Sequence, residues 1–182
     1  MAIKNIAPEE LETVQVGGST DKSFTTGELR VDNAGRKYIR GKIMVDTGSV
    51  TGAKHTLVVP YVASNVHTPG QYCHDLTDTA SALQSRAGVT KFSQMTAVTH
   101  FGWVQVSGPA KYLAATTNAN WLDGAKVFVS TTDNRINALA VASTGNAVTG
   151  INLTEVGIAM QNNIGMTTGV TVSVWLNGQG YE

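Results

Sequence analysis

Val170-Thr171-Val172-Ser173-Val174-Trp175-Leu176 sets an aliphatic residue at every second position and puts Thr171, Ser173 and Trp175 between them. Successive side chains of a strand point to opposite faces, so this is a strand with one core face and one partly wet face. Upstream, Val98, His100, Gly102, Val104 and Val106 alternate with Thr99, Phe101, Trp103, Gln105 and Ser107, and apolar bulk falls on both sides. That pattern predicts a strand buried on two faces.

The same reading extends outward. Strands are expected over 111–116, 126–131, 135–142 and 155–160, separated by Gly, Asn, Asp and Ser clusters. Earlier in the chain, 28–31 and 36–45 flank the turn Asp32-Asn33-Ala34-Gly35 and predict a hairpin. The segment Thr56 to Val62 reads as a further strand, with Pro60 favouring an edge or a strand end. The only helix signal runs from the N-cap candidates Thr77 and Asp78 through Ala80, Ala82, Leu83 and Ala87, with Gly88 as its stop. Residues 1–26 mix Glu9, Glu10 and Glu12 with the flexible Gly17-Gly18-Ser19-Thr20 and show no sustained period. The expected architecture is all-β: an antiparallel β-sandwich or barrel-like domain over 27–182, with one short helix and an extended N-terminal arm over 1–26.

Composition narrows the function. Charged residues make up 14% of the 182, against roughly 25% in ordinary soluble domains. Such a surface is easily desolvated and suits protein contact. Thirteen basic and thirteen acidic residues cancel, and no Lys/Arg stripe tracks a phosphate backbone, so no direct nucleic-acid contact is expected. The opening residues lack a signal-like apolar region and no run approaches 18 apolar residues, which predicts neither export through a signal peptide nor a membrane span. Cys73 is the single cysteine, which leaves no intrachain disulfide and no Cys-based zinc cage.

Several constellations invite chemistry and fall short of it. Asp46-Thr47-Gly48 after an apolar run resembles the active-site loop of aspartic proteases, whose mechanism needs two carboxylates sharing a proton. One copy would demand a homodimer, and the downstream cradle candidate Asn163-Ile164-Gly165 is half polar, so a simple turn is the plainer reading. Cys73-His74-Asp75 are sequence neighbours, whereas a nucleophile and its base come from separate elements. His55, His67, His74 and His100 show no ligand spacing. No catalytic, metal or cofactor-binding residue is therefore assigned. Trp103, Trp121 and Trp175, with Phe101, Tyr112 and Phe128, fit core and interface filling, or a sugar platform if one lies exposed beside Asn, Asp or Gln; Asn118, Asn120, Trp121 and Asp123 come nearest.

The segment Phe101-Gly102-Trp103-Val104-Gln105-Val106-Ser107-Gly108-Pro109, followed by Asp123 to Val129, Val156 to Met160 and the closing Val170 to Leu176 strand, resembles the C-terminal β module of tailed-phage head proteins. The match covers about 96–177 and is built of common residues; the N-terminal half departs from it. The resemblance implies a capsid decoration, or cement, protein that binds the outside of the shell, often as a homotrimer. Its partner would be the major capsid protein of the same particle, and its location the exterior of a virion assembled in the host cytoplasm. The alternatives are a head-fibre, neck or tail component, a carbohydrate-binding β-sandwich, and the homodimeric protease through Asp46.

Overall fold

The computed structural model describes residues 4–11, 15–16, 26–44, 57–63, 66–73, 87–92, 99–113, 122–130, 136–138, 151–162 and 171–178. Among them the chain is almost wholly β, arranged as a small closed barrel and a second sheet, with a single-turn 3-10 segment at Pro8–Glu10. The first sheet holds β1 (Lys4–Asn5), β2 (Gln15–Val16), β3 (Leu29–Val31), β4 (Lys37–Met44), β5 (Leu57–Ala63), β6 (Val66–Cys73), β7 (Gly88–Thr90) and β8 (His100–Gln105). The second holds β9 (Ser107–Leu113), β10 (Lys126–Ser130), β11 (Ile136–Ala138), β12 (Ile151–Ala159) and β13 (Thr171–Asn177) in the order β11-β10-β12-β13-β9.

The barrel closes because β4 pairs with β8 as well as with β6, which makes the ring β4-β6-β5-β7-β8. Closure removes the exposed edges that an open sheet would offer. Most pairs are antiparallel; β1–β3 and β4–β6 are parallel. Ile39, Ile43, Val58, Tyr72, Phe92, Val104 and Val106 fill the interior. Gly102 is needed there, since a Cβ would overlap the Phe92 ring.

The outer side of the barrel is covered twice. Val59, Cys73, Ala87 and Val89 pack against Ala110, Val127, Val156, Val172, Val174 and Leu176 from the second sheet. Each fully buried aliphatic side chain of this kind contributes about 1.5–3 kcal/mol, so this layer is the main tie between the two sheets. Elsewhere Ile6 packs on Tyr38 and Trp103, with Leu11 alongside. The strand expected from the alternation of Val98 to Ser107 begins at His100 and hands over to β9 at Val106, where the chain passes from barrel to sheet. The fully buried Gln105 fixes that passage: its Nε2 donates to the carbonyls of Ser107 (3.2 Å) and Pro109 (2.7 Å).

The expected hairpin of β3 and β4 forms, with Leu29 opposite Ile39 and Val31 opposite Lys37. Pro60 lies in a strand with neighbours on both sides, not at a sheet edge. It is tolerated because β7 pairs only with Leu57 and Val58, and the β5–β6 register shifts just past Pro60. The helix expected over 78–87 lies outside the described residues apart from Ala87, and Gly88 opens a strand, where a Cβ would meet Val104. Within the stretch expected as an arm, β1 pairs with β3, β2 pairs with β8, and the Glu10 carboxylate meets Arg30 at 2.7 Å, all within this chain.

Candidate interaction face

On β13 the alternation read from sequence sorts the side chains. Val172, Val174 and Leu176 are buried against the barrel, while Thr171 and Trp175 are exposed on the outer face. Trp175 stands directly opposite Ile158 on β12 and Pro109 on β9, and Lys126 of β10 stands opposite Ile158. Met160 follows two residues after Ile158, with its N–H bonded to the Ser173 carbonyl. Trp175 (49% exposed), Met160 (42%) and Ile158 (39%) are the exposed large hydrophobic residues among those described, and they fall together in one patch. Scattered exposed apolar residues are ordinary; a contiguous group centred on a tryptophan is the composition of a contact hot spot.

A glycine shapes the patch. At Gly157 β12 runs so close to β13 that a Cβ would overlap the Trp175 carbonyl oxygen. The β10–β12 register shifts at the same place, so that Lys126 pairs with Ile158 but Phe128 with Glu155. This bulge leaves both Glu155 and Ile158 on the outer side. The Glu155 carboxylate accepts from Lys126 Nζ (2.9 Å) and Asn177 Nδ2 (3.0 Å). The Lys126 bond is the largest influence on Glu155; with the Asn177 bond it outweighs the opposing effect of burial and holds the acid below its ordinary range. On the far side of Trp175, Lys111 is exposed on β9 opposite Ser173.

The ion pairs around Asp32, Arg30 and Arg40 brace the fold. Burial alone would raise the pKa of Asp32, but hydrogen bonds from the Arg36 N–H (3.0 Å), the Arg36 guanidinium and the Ala34 N–H (2.9 Å) outweigh it and leave the acid below its ordinary value. The Tyr38 hydroxyl also donates to Asp32 (3.2 Å), and its burial pushes that phenol up to about 12. Lys91, just past β7, is brought down to about 8, first by burial and then by the positive charges of Arg36 and Lys111, with Asp32 opposing. Arg30 and Arg40 lie over the Trp103 ring at 5.1 and 5.8 Å from its centroid, and Glu28 pairs with both arginines.

The residues singled out from sequence are dispersed. Cys73 is buried in the layer between barrel and sheet, with its thiol 3.7 Å from the Val59 carbonyl. His100 is buried inside the barrel, its ring centroid 6.1 Å from that of Phe92. Asp46-Thr47-Gly48, His55, His74, Asp75, Asn118, Asn120, Trp121 and Asn163-Ile164-Gly165 lie outside the described residues. Among the described residues no group of three or more His, Cys, Asp or Glu side chains is arranged to hold a metal, and no helix is long and apolar enough to cross a membrane. Of the aromatics, Trp103 and Phe128 are buried and Trp175 alone of the described tryptophans is open. The sequence marked Trp175 as the wet side of its strand; that Ile158 and Met160 join it depends on a bulge that periodicity does not reveal. The chain shows no significant match to any protein-family model, curated protein or solved structure.

Proposed function

We propose that this chain is a non-enzymatic virion structural protein that binds the outer surface of a phage capsid and reinforces the shell as a decoration protein, in homotrimers set on the major capsid protein. The observation that carries the reading is the apolar patch of Trp175, Ile158 and Met160 on the outer face of a sheet, in a chain with little charge to keep that face wet. The segment resemblance over about 96–177 supports it, and so does the closed barrel, which gives the patch a rigid base. The test is the copy number in purified particles, measured by quantitative mass spectrometry. Near-equality with the shell subunit supports decoration; a few copies per particle move the chain to the neck, tail or fibre; absence removes the reading.

A second reading rests on the same tryptophan. An exposed indole with Asn177 two residues along the same strand is a stacking surface for a sugar ring. Quenching of Trp175 fluorescence by soluble oligosaccharides on a glycan panel would favour it. The aliphatic neighbours Ile158 and Met160 favour protein.

A further inference from the structure

We infer that the Trp175 face is a two-fold contact between two copies of this chain. The inference rests on the reading that many copies sit side by side on one particle, and it names the partner of the patch.

The face carries the pattern that self-contact requires. Its centre is apolar, with Ile158, Trp175 and Pro109 in one cross-strand row and Met160 beside it. Glu155 lies toward one end of the strands, near Asn177, and Lys111 toward the other, beside Ser173. They occupy opposite corners about Trp175. A two-fold axis in the contact plane, perpendicular to the line between Glu155 and Lys111, stacks the apolar centre on its copy and brings each Glu155 against the other copy's Lys111. An isologous contact needs this reciprocity, in which i meets j and j meets i. Each Glu155 oxygen already takes one donor, from Asn177 or Lys126, and each keeps a lone pair for a further one. With zero formal net charge, two copies have no long-range repulsion to overcome.

The size of the face sets its strength. Four strands about 4.8 Å apart and roughly five residues of about 3.4 Å each give a footprint of roughly 300–400 Å² per copy. The pair then buries less than the roughly 1,200 Å² at which stable interfaces begin, so association in solution is weak and gains force where copies are held close together. A two-fold contact cannot close a trimer; it links copies of neighbouring trimers.

The test is sedimentation velocity on the full chain at 10 µM to 1 mM, with variants Trp175→Ser, Glu155→Lys and Lys111→Glu, each checked for native circular dichroism. The wild type is expected to form a species of twice the basal mass first as concentration rises, with larger species following where the basal unit is a trimer, and all of them are lost in Trp175→Ser. Each charge reversal alone weakens doubling at least fivefold, and an equimolar mixture of Glu155→Lys with Lys111→Glu restores it, because both cross-pairs are then of opposite sign. No doubling up to 1 mM, a doubled species unaffected by Trp175→Ser, or failure of the mixture to associate would each overturn the contact. If Trp175→Ser does not fold, the mixing experiment decides alone. Doubling by a protein that is absent from particles removes the capsid reading and leaves the contact standing.

Discussion

Replacing Lys91 by Met should stabilise this protein, and the gain should vanish at high pH. Lys91 is largely buried and its pKa falls to about 8 from the 10.5 of a free lysine. At about 1.4 kcal/mol per pKa unit, that drop corresponds to roughly 3–4 kcal/mol of penalty for keeping the ammonium charged in the folded state. The sign follows from proton counting. Between about pH 8 and 10.5 the unfolded chain holds this proton and the folded chain releases it, so wild-type stability rises with pH there; below pH 8 the full penalty applies. Met keeps the aliphatic stem and drops the charge, so Lys91→Met should gain about 2–3 kcal/mol at pH 7, or roughly 5–10 °C in Tm for a domain of this size. Urea denaturation of both proteins at pH 7, 9 and 10.5 measures the difference. Tyr38, pushed up to about 12 in the folded state from its ordinary 10.0, lowers stability as pH rises past 10, but it does so in both proteins and cancels in the difference. No gain at pH 7, or a gain of the same size at pH 10.5, would refute the argument that a buried charge sets the cost.

Two further substitutions probe the parts that shape the face and brace the barrel. Gly157→Ala must push β12 away from the Trp175 carbonyl, so it should cost at least about 2 kcal/mol in thermal denaturation and accelerate amide exchange along β12 and β13; a neutral effect would show that the bulge is loose. Asp32→Asn keeps an oxygen to accept the Ala34 and Arg36 N–H groups but loses the ionic bond to Arg36, at a cost of about 1–2 kcal/mol at pH 7. Because the folded-state pKa of Asp32 lies below its ordinary 3.8, its contribution is complete above that pH and is lost as pH falls through the lower folded value. The difference between wild type and Asp32→Asn should therefore shrink in acid titrations below about pH 4.

The part of the fold that alternation controls was legible in the sequence. The side chains of β13 alternate as its valines demand, and β8 is buried on both faces because both its residue sets are bulky. The β3–β4 hairpin follows from Asp32, whose carboxylate satisfies the turn N–H groups locally. Local chemistry suffices for such elements because their partners lie within a few residues. The rest was decided by contacts between distant segments. Barrel closure needs β4 to reach both β6 and β8, a pairing that no window of sequence contains. Pro60 reads as an edge signal, and only the bulge beside it and the shortness of β7 let its strand sit between two others. β6 carries Pro69 and Gly70 within its span and gave no strand signal, yet the barrel recruits it. For the candidate site, the alternation along β13 already required Trp175 to face away from the core, because a strand has only two faces. Its company of Ile158, Pro109 and Met160, with Glu155 and Lys111 at opposite corners, was decided by tertiary structure alone, since cross-strand neighbours are set by register and register by the packing of the whole sheet.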